Sequence, residues 1–438
     1  MIIYKFGGTS VGLPERMHTV ADLITADNEP KIVVLSAVSG TTNSLVEIGE
    51  LLLAKKQKEA KDKVGNLKKH YDQFIDNLYS TEEGKSKGTE LIHSFFNDID
   101  ALTSIPDFNE GNNKTLLAFG EIMSTNLFHQ YLLEADIDNA LLPALDFMSI
   151  DEDAEPRIDS ISTELKKILD SQDKKQIYIT QGFICRNHEG KTDNLQRGGS
   201  DYTASLVGAA IAAKEVQIWT DIDGMHNNDP RVVDSTFPIS ELSFDEAAEL
   251  AYFGAKILHP SSILPAQKFG IPVRLKSTLN PEAAGTVIHN TTGSADIKAI
   301  AAKDGITAIK IKSTRMLLAH GFLRRLFEVF EKYKTSIDMI TTSEVAVSVT
   351  IDNASHLQEI VDELSNFGFV EVDNNQSIVC IVGSMLTNKQ GALKKIFDSL
   401  GDLPIRMVSY GGSKNNVSIL IDSKFKTDAL VKLNTIFA

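Results

Sequence analysis

The chain has 438 residues, 42% of them hydrophobic and 24% charged, a length that exceeds one compact core and suits two to four domains. Its formal net charge of -15 repels nucleic acid and anionic membrane over a Debye length, so neither is expected as a partner. A nucleotide held in a local pocket of glycine amides, lysine and magnesium stays compatible with that charge.

The N-terminus, Met1-Ile2-Ile3-Tyr4-Lys5, enters a strand rather than a signal peptide. No run reaches the ~20 apolar residues of a membrane span, and a cytoplasmic enzyme is expected. Short Ile/Val-rich runs at 2–6, 31–36, 177–183 and 216–220 are read as strands, with helical segments between them. This pattern predicts a mainly parallel sheet covered on both faces, with ligands beyond the carboxyl ends of the strands. Residues from about 45 to 104 read as a helical insertion, broken at Gly84 and Gly88 before a last helix at 90–102. Its lysine-rich stretch is read as a solvated face. Cys185 and Cys380 form no Cys-x-x-Cys pair, which argues against a zinc site or a disulfide framework and fits buried thiols.

Residues 290–295, Asn-Thr-Thr-Gly-Ser-Ala, read as a linker. Beyond it the expected elements are a strand at 306–312, helix 321–333, strand 345–351 and helix 356–367. A similar order then returns, with strand 377–382, helix 389–400, strands 405–410 and 416–421, and helix 427–436. Two small α/β modules in tandem are predicted.

Several strings carry chemistry. Lys5-Phe6-Gly7-Gly8-Thr9-Ser10 closes the first strand, where bare glycine amides can face a phosphate. Lys5 could reach a transferred phosphoryl group and Ser10 a phosphate oxygen, although a plain tight turn explains the glycines as well. No Walker P-loop is present. Ser36 to Asn43 form a polar stretch after the second strand, as a ligand cradle or a helix cap. Glu121, after Phe119-Gly120, is either a residue that stabilises a helix dipole or a carboxylate that receives a substrate ammonium.

Gln196-Arg197-Gly198-Gly199-Ser200-Asp201 leads into an Ala-rich helix, a second anion-binding N-terminus. Arg197 can grip a carboxylate with two parallel bonds. Asp201 suits an N-cap or an organiser of Lys5. Trp219-Thr220-Asp221-Ile222-Asp223-Gly224 resembles a calcium loop only at its start, since Val232 stands where the twelfth-position Glu belongs. Thr220, Asp221 and Arg231 fit nucleotide contacts better. Lys256 could supply charge to ATP phosphates, and His259, next to Pro260, is read as structural.

Taken together, these strings resemble the aspartokinase branch of the amino acid kinase family. The resemblance rests on Lys-Phe-Gly-Gly-Thr-Ser-Val at 5–11, Arg-Gly-Gly-Ser-Asp at 197–201, Trp-Thr-Asp at 219–221, Asp-Pro-Arg-Val-Val at 229–233 and Phe-Gly-Ala-Lys-Ile-Leu-His-Pro at 253–260. It implies a three-layer α/β sandwich over residues 1–290 and two ferredoxin-like ACT domains at 300–370 and 375–438. By that resemblance Lys5, Gly7, Gly8 and Ser10 line the phosphate path, and Thr42, Glu121, Arg197 and Ser200 hold aspartate. Asp201 organises phosphoryl transfer, while Thr220, Asp221, Arg231 and Lys256 contact ATP. Gly321, Phe322, Leu323, Ser336, Asp338, Ser343 and Glu344 match an amino-acid effector site, with lysine preferred and threonine as runner-up. Magnesium comes with ATP rather than in a protein metal site, and pairing through the ACT modules implies a homodimer or larger homo-oligomer. His226, where relatives often carry tyrosine, and the 193–196 lead-in depart from the family pattern.

The implied reaction converts ATP and L-aspartate to ADP and 4-phospho-L-aspartate, the entry to lysine, threonine and methionine. A carboxylate with a pKa near ~3.9 is already ionised at neutral pH and needs no general base. Two alternatives are a kinase for another acid, such as N-acetylglutamate, and an inactive ACT amino-acid sensor. The first has no use for an ammonium-receiving Glu121, and the second leaves Lys5, Arg197 and Asp201 without a purpose.

Overall fold

The computed structural model describes every residue except 196–197, 255–257, 291–296, 317–319, 385, 387–389 and 438. It divides into two units: Met1–Met225 with Ser240–Phe244 and Ile257–Thr291, and His226–Ile239 with Asp245–Lys256 and Thr292–Ala438.

The first unit opens with β1 (Ile2–Phe6), α1 (Pro14–Thr25), β2 (Lys31–Leu35), α2 (Thr41–Leu53), α3 (Gln57–Leu78), α4 (Glu82–Thr103) and α5 (Glu110–Glu134). It continues through β3 (Asn139–Leu142), α6 (Ile158–Ser171), β4 (Ile177–Gln181), β5 (Ile184–Arg186), β6 (Thr192–Asn194), α7 (Gly199–Ile211) and β7 (Val216–Thr220). After β8 (Glu241–Ser243) the chain forms α8 (Phe244–Tyr252), whose body belongs to the second unit, and then returns as α9 (Leu264–Phe269), β9 (Val273–Ser277) and β10 (Thr286–His289).

Among the described residues, eight strands form one sheet in the order β3-β4-β2-β1-β7-β9-β10-β8, antiparallel only between β9 and β10. All five residues of β2 and of β4 are buried, as continuous apolar runs in a doubly covered parallel sheet should be. Tyr4, Phe6, Val33 and Leu35 share one core with residues of α1 to α5. Ile3, on the other face, lies against Gly208 of α7, where a Cβ would also press on Val216. The sheet is thus the middle of three layers.

The helical insertion departs from expectation at one point. Helix α4 runs straight through Gly84 and Gly88, and the break falls at Ser80–Thr81 instead. Thr81 caps the helix by accepting from the Gly84 amide at 3.0 Å, and the Glu134 carboxylate accepts from the Thr81 amide at 2.8 Å. The glycines let Glu134 and the Tyr79 ring approach the helix closely; they do not break it.

The second unit holds β11 (Ala299–Lys312), α10 (Phe322–Lys332), β12 (Ile340–Thr342), β13 (Ala346–Ile351), α11 (Leu357–Leu364), β14 (Phe369–Val382), α12 (Ala392–Leu400), β15 (Met407–Tyr410), β16 (Asn416–Asp422) and α13 (Lys426–Asn434). Among the described residues its six strands lie in the order β12-β13-β11-β14-β16-β15, all antiparallel. The start expected for helix 389–400 and most of the expected linker lie outside the described residues.

Strands β11 and β14 are about twice their expected length because each crosses both modules. Residues 307–312 of β11 pair with β13, while residues 299–303 pair with the second half of β14. Accordingly Ile309 and Ile311 belong to one core and Ile300 to the other. The second module is completed by a strand that precedes the first module in the chain. The register shifts between Lys303 and Ala308, with Gly305 at φ 75, and Asn375 of β14 is also left-handed at φ 57.

Candidate active site

Three strands and two helix starts assemble the candidate site in the first unit. Lys5, near the end of β1, places its Nζ 2.6 Å from Oδ1 of Asp201 in the first turn of α7, and both side chains are largely buried. Ser36, just past β2, donates from its Oγ to Ser200 Oγ at 2.8 Å. Gly182, just past β4, packs so closely on Ser200 that no side chain fits there. The ends of β1, β2 and β4 therefore converge on one helix N-terminus.

The loops between these elements are built for close approach. Ser10 and Val11 both donate backbone N–H to the Gly7 carbonyl, forming a tight turn after β1. A Cβ at Gly12 would lie 2.6 Å from Ser39 Cβ, so this turn packs against the loop after β2. A Cβ at Gly7 would sit 3.3 Å from Lys5 Nζ, which shows that the ammonium hangs over the glycine turn. Gly198 caps α7 at φ 64, and its missing Cβ would lie 2.5 Å from that of Ser262. The two glycine turns thus meet in one place through Lys5 and Asp201.

Glu121, on α5, is 4% exposed. Its Oε1 accepts from the Ala37 amide at 3.3 Å, while Oε2 is buried without a hydrogen-bond partner. Burial pushes its carboxyl up to about 7, against the lowering effect of the Ala37 amide. A half-satisfied buried carboxylate is costly unless a ligand cation completes it. Ser10 Oγ is likewise buried and unpartnered, as suits an atom set aside for a phosphate or a water. Thr42 is exposed in the first turn of α2, while its neighbour Thr41 is buried and bonded to Tyr71 Oη at 2.9 Å.

A small cleft lined by Thr9, Ser10, Arg16, Asp221 and Thr278 adjoins the glycine turn. Thr220 Oγ1 donates to Asp221 Oδ1 at 3.0 Å, and the Thr278 amide donates to the Thr220 carbonyl at 2.7 Å. Arg16, which donates to the Thr9 carbonyl, has no place in the sequence reading. Its only signal is its position in the first turn of the helix after the glycines.

Arg231 is in the second unit, exposed, and makes a two-point pair with Asp229 through Nε at 2.9 Å and Nη2 at 2.8 Å. That bonding holds the Asp229 carboxyl below the usual range. Arg197 and Lys256 lie outside the described residues. His226 Nδ1 lies 3.1 Å from Thr236 Oγ1, and His259 Nδ1 accepts from the Ser261 amide at 3.3 Å. Cys185 is buried and free, and burial lifts its thiol to about 12, far from a reactive thiolate.

The expected effector residues fall in the second unit. Gly321 caps α10 at φ 77, Phe322 is core, and Leu323 packs beside it. Ser343 donates its amide to the Ala346 carbonyl at 2.8 Å, and Ser336 and Glu344 are exposed. Asp338 differs from them: its side chain is fully buried among polar partners.

The amino acid kinase family model matches residues 1–277, and an ACT domain model matches 379–437. Lysine-sensitive aspartokinase 3 of Escherichia coli is 34% identical over 99% of this chain and 98% of its own length. The chloroplastic aspartokinase 3 of Arabidopsis thaliana is 32% identical over 99% of this chain and 81% of its own. Among solved structures, E. coli aspartokinase III with lysine and aspartate superposes with a TM-score of 0.86 over the whole of both chains, at 34% identity. The same enzyme with aspartate and ADP gives 0.81, over 100% of this chain and 99% of the other. Matched along its length in this way, the chain belongs to the amino acid kinase family, in its aspartokinase branch.

Proposed function

We propose that this chain transfers the γ-phosphoryl group of ATP to the side-chain carboxylate of L-aspartate, giving ADP and 4-phospho-L-aspartate. The observation that carries this reading is Glu121 of α5, buried against the Ala37 amide of the loop after β2 with one oxygen unpartnered. An amino-acid ammonium is the cation that completes it, and an N-acylated substrate cannot do so. Arg197, Ser200 and Thr42 would hold the rest of aspartate.

The chemistry needs positioning and charge neutralisation rather than proton transfer. The acceptor carboxylate is already ionised, so no histidine is required near it. Lys5 faces the glycine turn and is aimed by Asp201, which lets the ammonium stabilise charge on the transferring group. The Gly7 and Gly8 amides and Ser10 Oγ line the phosphate path, with Thr220 and Asp221 toward ATP; the family resemblance adds Arg231 and Lys256 as further ATP contacts. Mg2+ would come with the nucleotide, where it neutralises phosphate charge.

Catalysis is assigned to residues 1–290 and effector binding to the modules at 300–370 and 375–438. Asp338 offers a carboxylate for the amine of a feedback effector, lysine first and threonine second. Among the described residues, no helix is long and apolar enough to cross a membrane. A cytoplasmic homodimer or larger homo-oligomer is part of the same proposal. The test is turnover with L-aspartate against N-acetyl-L-aspartate: activity with the first alone is expected, and equal activity with both removes Glu121 from its role.

A further inference from the structure

Asp338 is not an open seat. Its side chain has no exposed surface, and two groups share its Oδ1. Lys303 Nζ, from the bulged stretch of β11, lies 3.0 Å away, and Tyr252 Oη, at the end of α8, donates at 2.8 Å. The Lys303 ammonium also stands 4.4 Å from the centre of the Tyr252 ring. Asp338 Oδ2 is buried without a hydrogen-bond partner.

Lys303 has a second carboxylate within reach, Asp352 Oδ2 at 2.8 Å. The cluster therefore holds two carboxylates and one ammonium, and is one positive charge short. Its cover reaches solvent: Tyr252 is 44% exposed and the Lys303 side chain 20%. An incoming amine can reach Asp338 only if that cover moves, and Lys303 can leave Asp338 while keeping its pair with Asp352.

We propose that Lys303 and Tyr252 form a resident cap on Asp338, and that an amine effector binds by taking Asp338 while Lys303 withdraws to Asp352. The proposal rests on the reading of Asp338 as the effector carboxylate. It makes Lys303 an internal competitor that sets effector affinity, because its ammonium has the same chemistry as the ligand group. It also ties the effector seat to α8. Within the second unit that helix is held by Glu246, which pairs with Lys298 at 2.9 Å and accepts from Ser384 at 2.7 Å, and by Glu249, which accepts from Asn416. Displacing Tyr252 from Asp338 removes one hold at its C-terminal end.

The test is calorimetric titration of the full chain with L-lysine, and separately with L-threonine, in wild type, Lys303→Met, Tyr252→Phe and Asp338→Asn. Lys303→Met is expected to tighten binding about tenfold, and Asp338→Asn to abolish it. Tyr252→Phe, the milder change, is expected to tighten binding about two- to threefold and decides the matter if circular dichroism shows Lys303→Met unfolded. Unchanged or weaker binding in Lys303→Met, with binding still lost in Asp338→Asn, overturns the cap and leaves the effector seat in place. Wild-type-like binding in Asp338→Asn, or no binding of either amino acid to wild type, removes the seat itself and the cap with it.

Discussion

The Lys5 ammonium and the Asp201 carboxylate lie 2.6 Å apart, joining the end of the first strand to the first turn of α7. The residues are 196 positions apart, yet this pair brings one glycine turn onto the other and holds the lysine over Gly7. A cation on a flexible stem becomes a fixed electrostatic element only when something aims it.

Lys5→Ala removes that cation from the transferring phosphoryl group. Its kcat should fall by about 10²–10³-fold, with a much smaller change in the KM for aspartate. Asp201→Asn keeps the lysine but loosens its aim, and a smaller loss in kcat is expected. Steady-state kinetics with both substrates varied separates the two effects.

Glu121 gives a pH signature. Its carboxyl is pushed up to about 7 by burial, and only the ionised form receives an ammonium. The KM for aspartate should therefore rise as pH falls below about 7, while the substrate's own carboxylates stay ionised. A flat KM from pH 6 to 8 counts against the role.

The same shift bears on stability, with a definite sign. The carboxyl titrates near 4.5 when unfolded and near 7 when folded, so the unfolded chain loses its proton first. Stability present below pH 4.5 is lost as pH rises through 7. Glu121→Gln does not titrate, and at pH 8 it should be more stable than wild type by about 1–3 kcal/mol, while losing affinity for aspartate. Thermal unfolding at pH 5 and pH 8 checks this, with the difference expected at the higher pH.

Gly198 is constrained twice, by a left-handed backbone and by Ser262 at its face. Gly198→Ala should cost about 1–3 kcal/mol of stability and move Asp201 away from Lys5. Chemical denaturation and kcat should fall together.

Arg16 holds the Thr9 carbonyl and lines the cleft that contains Ser10 and Asp221. Arg16→Ala should raise the KM for ATP by about five- to tenfold and leave that for aspartate nearly unchanged. Equal increases in both would place Arg16 in the loop's general packing.

Much of this was legible in the sequence because the informative residues sit directly after strands. The runs 2–6 and 216–220 are strands as read, and the residues following them face the site. What was not legible depends on partners from distant elements. Gly84 and Gly88 look like helix breakers until Tyr79 and Glu134 are seen pressed against them. The expected strands begin at 306 and 377, but the stretches just before them, Lys303-Asp304-Gly305 and Asn374-Asn375, are irregularities within strands that pass from one module to the other. The short strand β12 had too few residues to show an alternation. Asp338 could be picked out as a candidate, but its cover could not, since Tyr252 lies 86 positions away in a helix that carried no reading of its own.

One assay bears on the centre of this account: ATP turnover by wild type and Lys5→Ala with and without L-aspartate, the product trapped with hydroxylamine. Wild type should release ADP only when aspartate is present, with a hydroxamate in equal amount, and Lys5→Ala should lose both together. Hydroxamate formation by Lys5→Ala at the wild-type rate, or ADP release that ignores aspartate, would contradict the role given to the lysine poised over the glycine turn.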